Sequence, residues 1–385
     1  MRRVRRTPVE GTGLDADGQS HELTVDPAYL SVHILDNTGG PFLTPGEIPA
    51  AADALRRGDA VPLLRLGAEG DFSFIGDSGD PAEFSQGAFS ATSCLDQAWP
   101  WSADASVPER QAQWVQAVRA APDAAFAPFR AEEILLSPVG ATGGSEFCLP
   151  WPQTGTRPPV EPGVRYPRVP TLVVDGEFDI GPVDVTAALY PNAKLVTITG
   201  AGHNAFSWSQ CGSELATRFI ETRKLGSTRC ASQTPFDYPG VPAFPLLASD
   251  SRAATPGRGN NATSASLRIA RVTADTALDA LKRSFLSFGG DGPGLRGGSF
   301  HTDYGIDFTT TLTGARWTDD VAVNGTLHWS WDGGPLDAEL QVDGPGGHDG
   351  TLHLQGGWLI PGAPRTITIS GTLGGEHISA TVPST

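Results

Sequence analysis

The chain has 385 residues, enough for more than one domain with its own core. Its formal net charge of −16 argues against nucleic acid as a partner, because phosphates would be repelled. No apolar run approaches the roughly 18 residues of a membrane span, so none is expected. Arg2 to Arg6 imitate the charged start of an export signal. Thr7, Pro8, Glu10 and Gly11 follow where an apolar run belongs, so no signal peptide is expected within this chain.

Val9 to Val25 reads as a hairpin, with Gly11, Gly13, Asp17 and Gly18 as turn residues. Asp26 and Pro27 open a helix to near Leu35, Pro27 taking the first helical position. Further helices are expected over Pro45–Arg57, Val61–Ala68, Glu83–Leu95, Pro108–Ala121 and Phe126–Leu136. An aromatic loop, Asp96–Trp101, lies among them, and a Gly/Pro-rich stretch runs on to Pro170. Residues 1–168 therefore read as a mostly helical lid or cap region.

Residues 169–206 read differently. Thr171–Val174 is a β-rich run that stops at the acidic turn Asp175, Gly176, Glu177, Phe178, Asp179. Pro182–Tyr190 is helix-length, and Lys194–Thr199 is a second strand ending in Gly200, Ala201, Gly202, His203. A strand–helix–strand unit of this length implies two parallel strands, with working residues beyond their carboxyl ends. Asp179 and His203 both fall there. A helix over Glu214–Arg223 should pack back on the sheet, and Cys230–Pro245 is proline-rich. Residues 169–247 are thus expected as a piece of an α/β core, and residues 248–263 as a linker.

Residues 264–385 read as one helix, Ile269–Phe288, followed by about six or seven strands of an antiparallel sandwich or barrel. Val321, Val323, Leu327, Trp329 and Trp331 share one parity, as do Leu336, Leu340 and Val342. So do Leu352, Leu354 and Trp358; Ile367 and Ile369; Ile378 and Val382. The three tryptophans could form a carbohydrate platform, but their parity assigns them to the core. His328 and His353 take the outward parity, where a metal pair is weighed against a solvated face.

The four cysteines, Cys94, Cys148, Cys211 and Cys230, show no CxxC or zinc spacing, so no metal or other cofactor is implied. An even count in an acidic, lysine-poor chain suits two disulfides, most simply Cys94–Cys148 and Cys211–Cys230, against four buried thiols; sequence alone does not fix connectivity.

A carboxylate after one strand and a histidine after the next is the acid–base half of a Ser–His–Asp triad. Here the chain resembles the α/β-hydrolase fold, and more closely the tripeptidyl-aminopeptidase-like serine hydrolases of actinobacteria. The matching residues are Pro170–Val174 with Gly176–Asp179, then Pro191–Ala193, then Gly200–His203. Cys211 and Cys230 match that family's paired cysteines, and Cys94, Trp99, Trp101, Cys148 and Trp151 match its lid. The resemblance covers about residues 1–245 and implies a secreted, extracellular peptidase or esterase, with Asp179 as triad acid and His203 as base. Asp175 is the rival acid, and Glu177 is either a supporting group or a solvated turn residue.

In this fold the serine precedes the acid and sits in a G-x-S-x-G elbow. No such motif occurs in these 385 residues, nor does a His-Gly-Gly oxyanion loop. Ser78 and Ser145 lack the strand context of an elbow, and Ser207 and Ser209 are too near His203 in sequence. The expectation is an acid–base portion, catalytically silent alone, that accepts a peptide or ester only when an upstream segment supplies the nucleophile. The alternative is a non-enzymatic binding or surface-associated protein acting through residues 264–385.

Overall fold

The computed structural model describes residues 1–31, 47–72, 85–95, 99–136, 148–152, 163–177, 179, 183–202, 204–233, 243–284, 289–330, 335–358 and 366–384. The N-terminal elements are α1 (Arg2–Arg6), the hairpin β1 (Val9–Leu14) and β2 (Ser20–Val25), α2 (Pro27–Tyr29), α3 (Ile48–Arg56) and α4 (Val61–Phe72). The hairpin pairs as expected, Val9 opposite Val25. The Asp26 carboxylate caps α2 by accepting the Tyr29 amide.

The C-terminal elements are β5 (Thr255–Pro256), α11 (Ser264–Ser284), β6 (Gly290–Pro293), β7 (Ser299–Asp303), β8 (Asp307–Ala315), β9 (Ala322–Ser330), β10 (Leu336–Asp343), β11 (Gly350–Gly356), β12 (Thr366–Leu373) and β13 (Glu376–Pro383). They form one nine-stranded antiparallel sheet in the order β5-β13-β12-β11-β10-β9-β8-β7-β6. Alternation puts Leu336, Ala338, Leu340 and Val342 on the inner face, with Leu352, Leu354, Ile367, Ile369, Ile378 and Val382 beside them. The expected sandwich or barrel is thus a single sheet. The second layer is α11, which has 17 buried residues and touches β6–β9 on one flank and β12–β13 on the other. A helix buried nearly all round needs cover on every side, and the sheet curls about it to provide it. Both sheet edges end in short strands bearing proline, Pro256 and Pro293, which blunts further pairing.

Two groupings differ from the sequence reading. The described parts of residues 1–72 have a core apart from the rest of the expected lid: Leu23, Val25, Leu55, Leu64 and Leu66 share one core with α11 and the sheet. Residues 248–263 are not a free linker, since β5 pairs with β13 and the Asn261 amide donates to His377 O. Small residues let this segment lie flat along the sheet edge.

Between these layers runs a buried ion network. Lys282 and Arg283 of α11 bond Glu47, Arg283 also bonds Glu69 of α4, and Arg65 of α4 bonds Asp279 of α11. Three acids thus face three bases out of contact with water, which is tolerable only because each charge is paired.

The remaining helices of the expected lid are α5 (Gln86–Leu95), α6 (Val107–Ala120) and α7 (Ala131–Leu135). A capping box of Ser106 and Glu109 starts α6. Cys94, Trp101, Trp114, Val118, Cys148 and Leu149 form their small core, with Trp99 stacked on Trp101 at 4.7 Å. Arg110 organises this core by donating to four carbonyls, those of Ala103, Ala105, Leu149 and Trp151. Bidentate contact of Arg5 with Glu133 joins it to the N-terminal layer.

Candidate functional site

The third core is built on β3 (Thr171–Gly176) and β4 (Ala193–Ile198), which pair in parallel from Thr171–Ala193 to Gly176–Ile198. Between them lies α8 (Val183–Leu189), and after them α9 (Ala205–Trp208) and α10 (Gln210–Thr222). The strand–helix–strand reading holds, with α10 beginning four residues before the expected Glu214. Val196, Ile198, Ala201, Ala205, Cys211, Leu215 and Ala231 are buried together. Among the described residues this sheet has two strands, and Val185, Leu189, Leu195 and Ile220 remain exposed around it.

At the carboxyl end the two strands hand over to tightly fitted turns. The Asp179 amide donates to Gly176 O at 3.0 Å, folding the acidic turn back on its strand. The Glu177 amide donates to Ile198 O at 3.0 Å, extending the pairing one step past the strands. A side chain on Gly176 would place its Cβ 2.2 Å from Gly202 O and 2.6 Å from Ala201 O, so only glycine fits. Gly200 turns with φ +73°, and the Glu177 carboxylate accepts its amide at 2.8 Å. The turn carrying Asp179 and the turn running through Gly202 therefore abut.

Asp179 is half-buried beside these contacts. His203 lies outside the described residues, as do Ser78, Ser145 and Trp331 and the side chain of Ser207. Gly202 and Asn204, its chain neighbours, are described, and Asn204 takes a left-handed φ of +60°. Ser209 is a helix cap: its Oγ accepts the Gly212 amide at 2.9 Å and donates to Ala205 O at 2.9 Å. That double use leaves it no part in attack on a substrate.

Asp175 ends within β3, and its Oδ1 is buried without a partner. Burial, then the nearby charges of Asp179 and Asp184, push its carboxyl above the usual range. The folded chain thus holds that proton more firmly than the unfolded one, so this group favours folding more as pH falls from neutral towards the ordinary carboxylate range. Asp175→Asn is expected to flatten that slope and to raise stability slightly at pH 7, measured by urea unfolding across pH.

Both expected disulfides form: Cys94–Cys148 in the core around Trp101 and Trp114, and Cys211–Cys230 from the first turn of α10. Trp329 and Trp358 are buried, with the Trp329 indole donating to Trp358 O at 3.1 Å, so neither offers a carbohydrate platform. His328 and His353 face outward, but β10 lies between their strands. His353 bonds Asp337 and His328 bonds Thr309. Among the described residues no three His, Cys, Asp or Glu side chains are grouped to hold a metal, and no helix is long and apolar enough to cross a membrane.

Sequence reasoning missed the contact of Glu177 with Gly200, the cap role of Ser209 and the four-carbonyl grip of Arg110. Only the Ser209 cap had a local signal, a serine just before a helix.

Residues 136–230, about a quarter of the chain, match the family model described as TAP-like protein. No curated protein and no solved structure matches the chain. The match spans the parallel pair, the acidic turn, Gly200–Gly202 and the second disulfide, which are the features that carry the resemblance. Over residues 136–230 the chain is similar to the tripeptidyl-aminopeptidase-like family of α/β-hydrolases.

Proposed function

We propose that the β3–β4 unit supplies the acid and the base of a serine-hydrolase site, Asp179 as the acid and His203 as the base. In such a site the carboxylate fixes the imidazole tautomer and stabilises its cation, while the imidazole takes the proton of an attacking serine. The observation that supports this reading is the abutment of the Asp179 turn on Gly200–Gly202 at the carboxyl end of a parallel pair. There an acid and a base brought on successive strands would meet.

These 385 residues contain no elbow serine and no oxyanion loop, so the chain alone is silent. An oxyanion donor by itself contributes on the order of 2.7–4 kcal/mol to acyl transfer, so losing hole and nucleophile together abolishes it. The reaction requires a segment that brings the nucleophile, and the exposed apolar residues around the two-stranded sheet suit such a partner. The substrates are peptides or esters. The two disulfides fit an extracellular setting.

The test is labelling by a fluorophosphonate probe. The chain alone is expected to remain unlabelled. Covalent labelling that disappears in His203→Ala would overturn the silent reading and assign an unrecognised serine nucleophile.

A further inference from the structure

We infer that Glu177 is a positioning residue for this acid–base pair, an inference that rests on the reading of Asp179 and His203 above. Glu177 sits two residues before Asp179 and holds the neighbouring turn at two points. Its amide donates to Ile198 O at 3.0 Å, and its carboxylate Oε2 accepts the Gly200 amide at 2.8 Å. Residue 203 follows Gly200 by three positions, so the carboxylate holds the start of the segment Gly200–Gly202 that leads into the histidine.

The rest of that turn shows why a side chain is needed. The Thr199 amide donates to Ala231 O at 2.8 Å, and the Ala201 amide donates to Ile198 O at 3.4 Å. Gly200 stands between them with a positive φ, and its amide donates to the Glu177 side chain instead of to a backbone carbonyl. A backbone amide left without a partner costs free energy, and Glu177 provides the partner. Because the acceptor is ionised, the bond is stronger than one to a neutral carbonyl. Gly176 adds a steric limit, since Gly202 O lies where its Cβ would be. A turn pressed against Gly176 and tied to Glu177 has little room to rotate.

The geometry separates positioning from simple charge. Glu177→Gln keeps an acceptor oxygen and loses the charge, whereas Glu177→Ala loses both. A positioning role predicts that glutamine rescues what alanine loses. A purely electrostatic role predicts that the two variants behave alike.

The experiment follows the His203 imidazole by NMR in the full chain, with and without Asp179→Asn. In the otherwise native chain Asp179→Asn is expected to lower the proton affinity of His203 about tenfold, as losing a paired carboxylate does. In Glu177→Ala the same substitution is expected to lower it less than about threefold, and in Glu177→Gln about tenfold again. Hydrogen exchange at the Gly200 amide is expected to speed up in Glu177→Ala and stay slow in Glu177→Gln. Urea unfolding of each variant checks that the unit stays folded. An Asp179 effect of full size in Glu177→Ala, or equal losses in both variants, overturns the role of Glu177 while leaving the pair intact. An otherwise native chain in which Asp179→Asn leaves His203 unmoved overturns the acid–base reading itself, and the role of Glu177 falls with it.

Discussion

Replacing Arg283 by methionine is expected to destabilise the chain by about 3–5 kcal/mol, the range for breaking a buried ion pair from one side. Arg283 is 1 % exposed and donates to both oxygens of Glu47 at 2.8 and 2.7 Å, and to both oxygens of Glu69 at 3.0 and 3.1 Å. Methionine fills most of the stem volume, so the loss comes from carboxylates left facing one another without water. Lys282 still bonds Glu47 at 2.6 Å, and Arg65 still lies 3.7 Å from Glu69, which keeps the cost at this range instead of beyond it. Adding Glu47→Gln to Arg283→Met is expected to cost less than the sum of the two changes, because the members act as one network. Urea midpoints of the single and double variants measure both effects. Strict additivity would mean that the network carries no coupling.

The same network sets the sign of a pH dependence. Burial pushes the Glu47 carboxyl up, but Arg283 and Lys282 outweigh it and hold Glu47 well below the usual carboxylate range. Its contribution is therefore fully present above the ordinary carboxylate pKa and is lost progressively as pH falls from there through the depressed value. Glu69, and Asp275 of α11, which pairs with Arg271 of the same helix, run the other way, because burial outweighs their arginine partners and raises both carboxyls. These two favour folding more as pH falls from neutral towards the unfolded carboxylate range. Unfolding followed from pH 7 downward is expected to show Glu69→Gln flattening the early rise and Glu47→Gln removing the loss in strong acid.

Removing the Cys94–Cys148 bond by a double serine substitution is expected to cost about 4 kcal/mol by loop-closure entropy, given its sequence separation of 54. For Cys211–Cys230, with a separation of 19, the same relation gives about 3 kcal/mol. The first loss should be local in its consequences. The core it crosslinks is small, centred on Trp101, Trp114, Val118 and Leu149, whereas the sheet and α11 hold a far larger one. Near-ultraviolet circular dichroism from the stacked Trp99 and Trp101 is expected to fade in that variant, while the far-ultraviolet sheet signal persists. A variant that keeps the tryptophan signal and an unchanged midpoint would show that this small core stands without its crosslink.

Much of the local structure was legible because its causes are local. The alternation of Leu336, Ala338, Leu340 and Val342 follows from the two-residue period of a strand, and no distant residue is needed to read it. Asp26 with Pro27 marked a helix start, and Val9–Val25 marked a hairpin, for the same reason. The acidic turn and the Gly200–Gly202 turn were legible at the ends of their strands, since a β-rich run stops where glycine and acidic residues begin. Glu47 and Arg65, by contrast, carry no mark of the charges on α11 that they will meet.

By itself the sequence determined most of the strands and helices, the family resemblance of residues 136–230, the parallel pair with Asp179 beyond it, and the absence of an elbow serine among these residues. Periodicity, turn chemistry and short motifs act over a few residues, so one chain displays them directly. Only the tertiary structure decided that the described parts of residues 1–72 share a core with α11 and that α11, in place of a second sheet, fills the inner face. It also decided that Glu177 reaches Gly200 across the strand pair. Those outcomes depend on which apolar face and which charge meet across hundreds of residues, where hydrophobic burial is non-directional and only the packed geometry selects the partner.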